Sequence, residues 1–459
     1  MSCTKEALDF VTFLKQSSSH FHAIQECVSR LEKSGYQRLR ERESWSNTVK
    51  NGGKYFFTRN QTSLFAFAVG KLYEPGNGFS IAASHCDSPY LKLKPISKIE
   101  KNGVCECGVE VYDSAIWTTW LDRDLGLAGR IFFRKDDKIQ SQLIDIHKPI
   151  FHIPNLAVHM SDSAIKTEIN KENHLIPILR DLSINKNSSS SSPSSSLLYS
   201  KHDSELLNYI SSSFSIPLET MIDFELYLYD IQGPSLTGLY DEYICSQRLD
   251  NLTSAYASLE GLIQATNDEQ ALDNEKNIRM ICIYDNEEIG STGMAGAQSN
   301  SLSTCINRLV PREYVPIALN KSFIISADMS HAVHPNYSDK CESRHNCYMN
   351  KGIVLKHSVN MNYATNCASE TVLRDLCMRH QLPLQEFVVR QDSRSGGTIG
   401  KYLTTINGIE TVDVGLAMLS MHSIREMCGS KDISTYINMF KYFLEEWGEM
   451  ESNIILGDE

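Results

Sequence analysis

Continuous apolar runs of strand length recur along this chain, and several are followed at once by a histidine or an acidic residue. Residues 79–84, 278–284 and 323–327 are such runs, and residues 411–414 predict a further short strand. Strands buried on both faces of a parallel sheet show this continuous pattern, whereas strands with one wet face alternate. The runs therefore predict the inner strands of an α/β fold.

Segments with helical periodicity lie between these runs. Residues 7–14 and 19–33 predict two helices near the start, and apolar residues at helical spacing after Asp250 predict a third. A last helix over residues 432–447 has one apolar face, which is typical of a helix packed on a core. This alternation predicts an α/β domain with a mixed, largely parallel central sheet.

The middle of the chain has a different pattern. Residues 127–133 and 139–146 predict a hairpin that turns at the pair Asp136-Asp137. Residues 222–228 alternate apolar and polar side chains, as an antiparallel strand with one solvated face does. These patterns predict a second, β-rich domain.

The domain organisation follows from where the pattern changes. We predict a discontinuous α/β domain formed by residues 1–94 and 245–459, interrupted by a β-rich domain over residues 95–244. A serine-rich loop over residues 187–200 carries few apolar side chains to offset the entropy of ordering. We therefore expect this loop to be disordered.

Charge and cysteine content narrow the class of protein. The formal net charge is −12, so a nucleic-acid backbone is not an expected partner. No run approaches the ~18 apolar residues of a membrane helix, and the first residues lack the pattern of a signal peptide. Thirteen cysteines are scattered without a Cys-x-x-Cys pair, which favours reduced thiols. We expect a cytoplasmic protein with no membrane partner.

Candidate metal ligands stand where the predicted strands end. His85, Glu288 and Asp328 each follow a buried strand, Asp250 opens a helix, and His422 follows the last strand. Each residue alone also fits an ordinary role, such as a capped turn, a solvated strand exit or a helix cap. In an open α/β sheet these ends face one crevice, so together they suit a pair of zinc ions with one bridging carboxylate.

Two further carboxylates adjoin this set. Asp87 lies two residues after His85 and can orient that histidine without binding the metal itself. Glu287 precedes Glu288, and it remains available as a general base toward water. The alternative for the Glu-Glu pair is an acidic strand exit that is merely solvated.

The blocks around these residues resemble the aspartyl aminopeptidases, dinuclear zinc exopeptidases that release an acidic N-terminal residue. In the family's order, the matching blocks are SHCDSP at 84–89, RLDN at 248–251, DNEEIGS at 285–291, SADM at 326–329 and AMLSMHSIRE at 417–426. The resemblance implies a zinc-exopeptidase-like catalytic domain and an inserted dimerisation domain. It also implies peptide substrates that begin with Asp, then Glu, and a homo-oligomer, a dodecamer built from dimers.

The resemblance assigns the metal ligands residue by residue. His85 and Asp328 are expected to hold one zinc ion, Glu288 and His422 the other, and Asp250 is expected to bridge the two. Other divalent metals, such as manganese or cobalt, are expected to be able to replace zinc.

The resemblance also assigns five residues outside the ligand set. Glu287 matches the catalytic general acid/base, and Asp87 matches the carboxylate that steadies the histidine ligand. Lys356 and Tyr363 match substrate-contacting positions, and Lys356 is the cation expected to pair with the acidic side chain. His159 matches a histidine that reaches into the active site of a neighbouring subunit.

Two other functions stay open from the sequence. One is a neutral or vacuolar aminopeptidase of the same fold, and the other is a non-catalytic scaffold that keeps a vestigial site. The complete set of ligands and Glu287 argues against the scaffold. His331, His334 and His345 are interpreted as ordinary loop histidines.

Overall fold

The structure is a computed structural model that describes residues 4–160, 169–184 and 197–454. These residues form two compact units. The first comprises Met1–Ser88, Pro234–Met421 and Glu426–Glu459, and the second comprises Pro89–Gly233 and His422–Arg425. The predicted dimerisation role of the inserted domain stays a prediction.

The described residues form these strands in chain order: β1 (Gln37–Arg38), β2 (Lys54–Arg59), β3 (Ser63–Val69), β4 (Phe79–His85), β5 (Tyr90–Lys101), β6 (Val104–Tyr112), β7 (Asp124–Lys135), β8 (Lys138–His152), β9 (Ile178–Asp181), β10 (Met221–Asp230), β11 (Ser235–Thr237), β12 (Tyr243–Ser246), β13 (Ile278–Tyr284), β14 (Phe323–Ala327), β15 (Ser330–His331), β16 (Ile353–His357), β17 (Leu384–Val388), β18 (Glu410–Leu419) and β19 (Glu426–Gly429).

The described helices are α1 (Lys5–Gln16), α2 (His20–Lys33), α3 (Ser204–Phe214), α4 (Leu249–Ala265), α5 (Ser301–Leu309), α6 (Val315–Asn320), α7 (Cys367–Arg379), α8 (Gly400–Asn407) and α9 (Asp432–Ser452). Short 3₁₀ helices include Val158–Met160 and Glu287–Ile289. None of the described helices is both long and apolar enough to cross a membrane.

A large mixed sheet organises the first unit. Its strand order is β1-β2-β3-β13-β4-β14-β18-β19-β12-β11, with β15 and β16 paired to β18 and β17 paired to β16. The four inner strands β13, β4, β14 and β18 are mutually parallel, so their carboxyl ends share one edge. The predicted α/β class with a largely parallel central sheet is confirmed.

Both faces of the inner strands are buried. Along β13, Ile281 and Ile283 join a core with α1, α2, α4 and α9, whereas Met280 and Cys282 join a second core with α5 and α8. Successive side chains of a strand point to opposite faces, so helices on both faces require apolar residues at every position. This arrangement explains why the sequence shows a continuous apolar run here.

The last strand that the sequence predicted and the last helix are both longer than predicted. β18 continues past residue 414 because Gly415 lies against the backbone of Asp328, where a Cβ would meet the carbonyl oxygen. Helix α9 continues past residue 447, with Met450 buried.

The second unit is a six-stranded antiparallel sheet that closes on itself in the order β10-β5-β6-β9-β8-β7. The predicted hairpin is present as β7 and β8, and the alternating run 222–228 lies within β10. Of the serine-rich loop, residues 187–196 lie outside the described residues. Residues 197–200 form a 3₁₀ helix in which Leu198 is buried. The disorder of the loop stays a prediction.

Candidate metal centre

The candidate site lies at the carboxyl ends of three neighbouring strands of the first unit. Tyr284, the last residue of β13, pairs with His85, the last residue of β4. On the other side of β4, Ser326 of β14 pairs with Ala83, which brings Asp328 level with His85. Parallel strands thus deliver residues that are distant in sequence to one edge, as expected for a binding crevice in an open α/β sheet.

Three carboxylates surround one imidazole nitrogen of this edge. His85 Nε2 lies 3.5 Å from Asp250 Oδ1, 3.6 Å from Asp328 Oδ1 and 3.9 Å from Glu287 Oε2. The His85 side chain is 1% exposed, and Asp250 is also buried. Acidic groups this close together and this far from solvent require compensation by a cation.

The pKa values show the same concentration of negative charge. Burial alone lowers the pKa of the His85 imidazole, but Asp250, Asp328 and Asp87 outweigh it and raise that pKa well above its usual range. Burial raises the pKa of the Glu287 carboxyl well above its usual range; His85 opposes this shift and Asp328 adds to it. A bound cation would stabilise the ionised carboxylates.

Asp87 positions more than the histidine. Its Oδ1 lies 3.3 Å from His85 Nδ1, the nitrogen opposite the carboxylate cluster. The Asp87 carboxylate also accepts hydrogen bonds from the backbone N–H groups of Glu287, at 3.1 Å, and Glu288, at 3.0 Å. Only the first contact was expected from the sequence, because nothing local links Asp87 to residues 200 positions away.

Asp250 is held by its backbone on both sides. Its N–H donates to Glu426 Oε2 at 3.0 Å, and its carbonyl oxygen accepts a 2.6 Å hydrogen bond from Ser88 Oγ. Asn251 fixes the same turn by donating from Nδ2 to the Ala327 carbonyl at 2.8 Å. Asp250 and Asn251 have non-helical backbone angles (φ −81°, ψ 109° and φ −123°, ψ 31°), so the regular part of α4 begins after them. No role was predicted from the sequence for Ser88, Asn251 or Glu426.

The donor set of the first unit fits a divalent metal. One ligand atom from each of His85, Asp250 and Glu288 lies within 4.8 Å of the others. One imidazole nitrogen with carboxylate oxygens is a combination that zinc accepts in hydrolytic sites. The residues present therefore fit the predicted cofactor.

His422 belongs to the second unit, although it lies three residues after the end of β18. Its Nδ1 lies 2.7 Å from the Ser114 carbonyl oxygen and 3.8 Å from Asp113 Oδ2. A hydrogen bond at Nδ1 leaves Nε2 as the nitrogen available to a metal.

Lys356 and Tyr363 lie together in the first unit. Lys356 of β16 is 3% exposed, and its ammonium donates to the Met329 carbonyl oxygen at 2.6 Å. The same Nζ lies 5.4 Å from the centroid of the Tyr363 ring. No ion pair of this ammonium is found within the described ranges 4–160, 169–184 and 197–454.

Asp413, to which no role was assigned from the sequence, supports the pair formed by Lys356 and Tyr363. Its carboxylate accepts from the Ala364 N–H at 2.5 Å and from Thr398 Oγ1 at 2.6 Å, which holds the segment that carries Tyr363. Burial raises the pKa of the Asp413 carboxyl, and the charge of Lys356 opposes the shift. A charged residue in the middle of the predicted strand 411–414 was the signal that could have identified it.

The other histidines considered in the sequence have different local structures. His159 is exposed in the 3₁₀ helix Val158–Met160 of the second unit. His331 lies in strand β15, which corrects its interpretation as a loop residue; His334 and His345 lie outside the helices and strands. His345 Nδ1 contacts Glu342 Oε2 at 2.5 Å.

The chain matches known proteins along nearly its whole length. A family model described as aminopeptidase I zinc metalloprotease (M18) matches residues 13–444. The probable aspartyl aminopeptidase of Ricinus communis is 40% identical and covers 97% of this chain and 96% of its own. Aspartyl aminopeptidase 4 of Saccharomyces cerevisiae is also 40% identical, with 98% and 96% covered.

Comparison with solved structures leads to the same family. A chain of the structure titled cryo-EM structure of the Ape4 and Nbr1 complex aligns with a TM-score of 0.94 at 37% identity, covering 99% of this chain and 90% of that one. The S. cerevisiae mApe1 dodecamer structure aligns with a TM-score of 0.86 at 28% identity, with 98% of both chains covered. The predicted resemblance is confirmed: this chain belongs to the aminopeptidase I zinc metalloprotease (M18) family and is a zinc aminopeptidase.

Proposed function

We propose that this aminopeptidase releases acidic N-terminal residues, Asp and then Glu, from peptides. The observation that carries the proposal is the buried ammonium of Lys356, which forms no direct ion pair among the described residues and feels the Asp413 carboxylate only at longer range. Burying a cation without a counter-charge is costly, and an acidic substrate side chain would supply that charge. The relatives named above are called aspartyl aminopeptidases, which agrees with this specificity.

Two zinc ions are the proposed cofactors. We assign His85 and Asp328 to one ion, Glu288 and His422 to the other, and Asp250 to both. Support comes from the ligand atoms of His85, Asp250 and Glu288, which lie within 4.8 Å of one another. Bound zinc supplies Lewis acidity, which polarises a peptide carbonyl and makes water a stronger acid; manganese and cobalt accept the same donors.

Glu287 is the proposed proton-transfer group. Its side chain is 14% exposed, and Oε2 lies 3.9 Å from His85 Nε2 at the edge of the ligand cluster. The carboxylate takes a proton from the water whose oxygen bonds to the peptide carbonyl carbon. When the C–N bond breaks, Glu287 returns that proton to the leaving amine. Asp87 keeps this side chain in place through its hydrogen bond to the Glu287 N–H.

Lys356 and Tyr363 are the proposed recognition pair for the first side chain. The ammonium is fixed by the Met329 carbonyl, one residue after the proposed ligand Asp328. A substrate carboxylate paired there would hold its scissile carbonyl in one orientation toward the metal centre. The tyrosine ring shields the ion pair from water, which strengthens it.

The proposed assembly is a dodecamer built from dimers, in which His159 contributes to the active site of a neighbouring subunit. Support for an exchanged residue is the exposure of the 3₁₀ helix Val158–Met160, whose three side chains all face solvent in the single chain. A dodecamer is also named for the related mApe1 structure.

A peptide panel tests the proposal directly. Peptides that differ only in an N-terminal Asp, Glu, Ala or Leu would be compared by kcat/KM, with the zinc content of the purified protein measured alongside. We expect Asp to be preferred, Glu to follow, and Leu to be cleaved poorly. Faster cleavage of Leu peptides would indicate a neutral aminopeptidase, and metal-free protein that cleaves none of them even after zinc is added would favour a scaffold.

A further inference from the structure

A cavity of about 320 Å³ in the first unit has several basic side chains in its lining. We call it the basic cavity. Its walls include one acidic residue, Glu342, and six basic or titratable residues: His331, His334, Lys340, His345, Arg390 and Arg394. A cavity with this balance of charge attracts anions and disfavours cations.

Part of this charge is already neutralised. Glu342 pairs with His345, and Arg390 pairs with Asp392 at 2.6 Å. Arg394 differs, because no ion pair of its guanidinium is found in the part of the chain that the structure describes. A guanidinium offers two parallel donors to a carboxylate, so Arg394 is the group best suited to bind one.

The basic cavity adjoins the proposed substrate site. Tyr363, the partner of Lys356 in that site, is also part of the cavity wall. His331 lies in β15, which begins two residues after the proposed ligand Asp328 and pairs with Met418 of β18. Met418 is itself a wall residue. The cavity and the recognition pair therefore share a side chain.

We infer that the basic cavity binds carboxylate groups of the peptide beyond its first residue. The inference deepens the proposed function and rests on it. Phe387 and Val389 give the cavity an apolar wall for the stem of a side chain, while the guanidinium groups face the carboxylate. The carboxylate is either an acidic side chain at the second position or the C-terminus of a short peptide.

Three peptides that all begin with Asp distinguish these sources. Asp-Ala-Ala amide carries no later carboxylate, Asp-Ala-Ala carries a C-terminal one, and Asp-Glu-Ala amide carries a side-chain one. We expect kcat/KM for one or both charged peptides to exceed that of the neutral amide by about tenfold, the usual size of a charge-assisted contact. The substitution Arg394→Gln should abolish the advantage and leave cleavage of the neutral amide unchanged.

The matched control is Arg344→Gln. Arg344 is exposed in the same region but does not line the cavity, so its loss should preserve the advantage. Equal kcat/KM for all three peptides in the wild type would overturn the inference while the proposed function stands. An equal loss in the Arg344 and Arg394 variants would also overturn it, because the effect would then be one of general surface charge.

A binding measurement covers the case in which no Asp peptide is cleaved. That result would refute the proposed function, and calorimetry with Ala-Glu-Ala amide would still test the cavity. Binding that weakens about tenfold on Arg394→Gln supports the carboxylate site. No binding, or binding unchanged by the substitution, overturns it. The inference would also be overturned if inorganic phosphate bound through Arg394 and the peptide did not compete with it.

Discussion

Glu287 and Glu288 are adjacent, but they have different surroundings. Glu288 offers an oxygen to the group formed with His85 and Asp250, whereas Glu287 reaches His85 only at 3.9 Å. The two lie in one 3₁₀ helix rather than at a strand end, so their side chains leave the backbone about 120° apart. The two adjacent side chains therefore have different surroundings, which agrees with the separate roles that we propose for them.

We expect Glu287→Gln to keep the wild-type metal content and to lower kcat about 100-fold or more, because the amide cannot accept the proton. Metal content would be measured on the purified protein and kcat on an Asp peptide. Glu288→Gln is the paired control and should lose metal. The opposite pattern, metal lost from the Glu287 variant and kept by the Glu288 variant, would show that the two roles are exchanged.

Lys356→Met tests the proposed specificity. Methionine keeps much of the length and removes the charge, so kcat/KM should fall for Asp peptides by about 2–4 kcal/mol more than for Leu peptides. Lys351→Met, at an exposed position shortly before β16, is the control and should leave the ratio unchanged. An equal loss for both peptides would mean that Lys356 supports the fold rather than substrate choice.

At the scale of elements, buried strands were the most predictable part of this chain. β13 and β14 have the predicted bounds because apolar runs of five to seven residues are of strand length and too short for a typical helix. The end of β18 was not predicted, because the close approach of Gly415 to Asp328 depends on two strands that meet only in the fold. Local pattern determines that a strand forms, and its neighbours determine where it ends.

Three helices of the first unit meet at one arginine. Arg30 of α2 contacts Asp9 of α1 at 2.5 Å and Glu260 of α4 at 2.9 Å, and it also pairs with Glu26 at 2.9 Å. Its guanidinium lies 5.4 Å from the centroid of the Tyr256 ring. The arginine therefore reduces the repulsion among three carboxylates beside a packed core.

We expect Arg30→Met to lower the free energy of unfolding by about 2–3 kcal/mol, since it leaves these carboxylates together without a cation. Arg40→Met removes a pair with Glu43 whose side chains are 77% and 62% exposed, and it should cost less than about 1 kcal/mol. Thermal melting at one protein concentration measures both. Similar melting temperatures for the two variants would contradict a stabilising role for the Arg30 cluster.

At the scale of the whole molecule, the proposed exchange of His159 between subunits can be tested by complementation. A His159→Ala chain and a Glu287→Gln chain should each be nearly inactive. Mixed oligomers should regain part of the activity, because some sites then combine an intact Glu287 with an intact histidine from the neighbour. Absence of recovery in oligomers verified to be mixed would place His159 within its own subunit or in packing alone.

The sequence by itself determined the α/β class, the β-rich insertion and the family, because these depend on local hydrophobic pattern and on short blocks of residues. It also identified His85, Asp250, Glu288 and Asp328 as candidates, since each stands at the end or start of an element. Only the order of the parallel strands brings those elements to one edge, and for that reason the distances at His85 Nε2 could not be derived beforehand.

The supporting contacts were decided by tertiary structure alone. Asp87 holds the backbone of Glu287 and Glu288 across 200 and 201 residues, and Glu426 holds Asp250 across 176. A hydrogen bond between residues so far apart leaves no periodicity or spacing in the chain, because its geometry exists only once the sheet has assembled. For the same reason, the role of Asp413 could not be predicted from the chain. Its hydrogen bonds with Ala364 and Thr398 form only in the assembled fold.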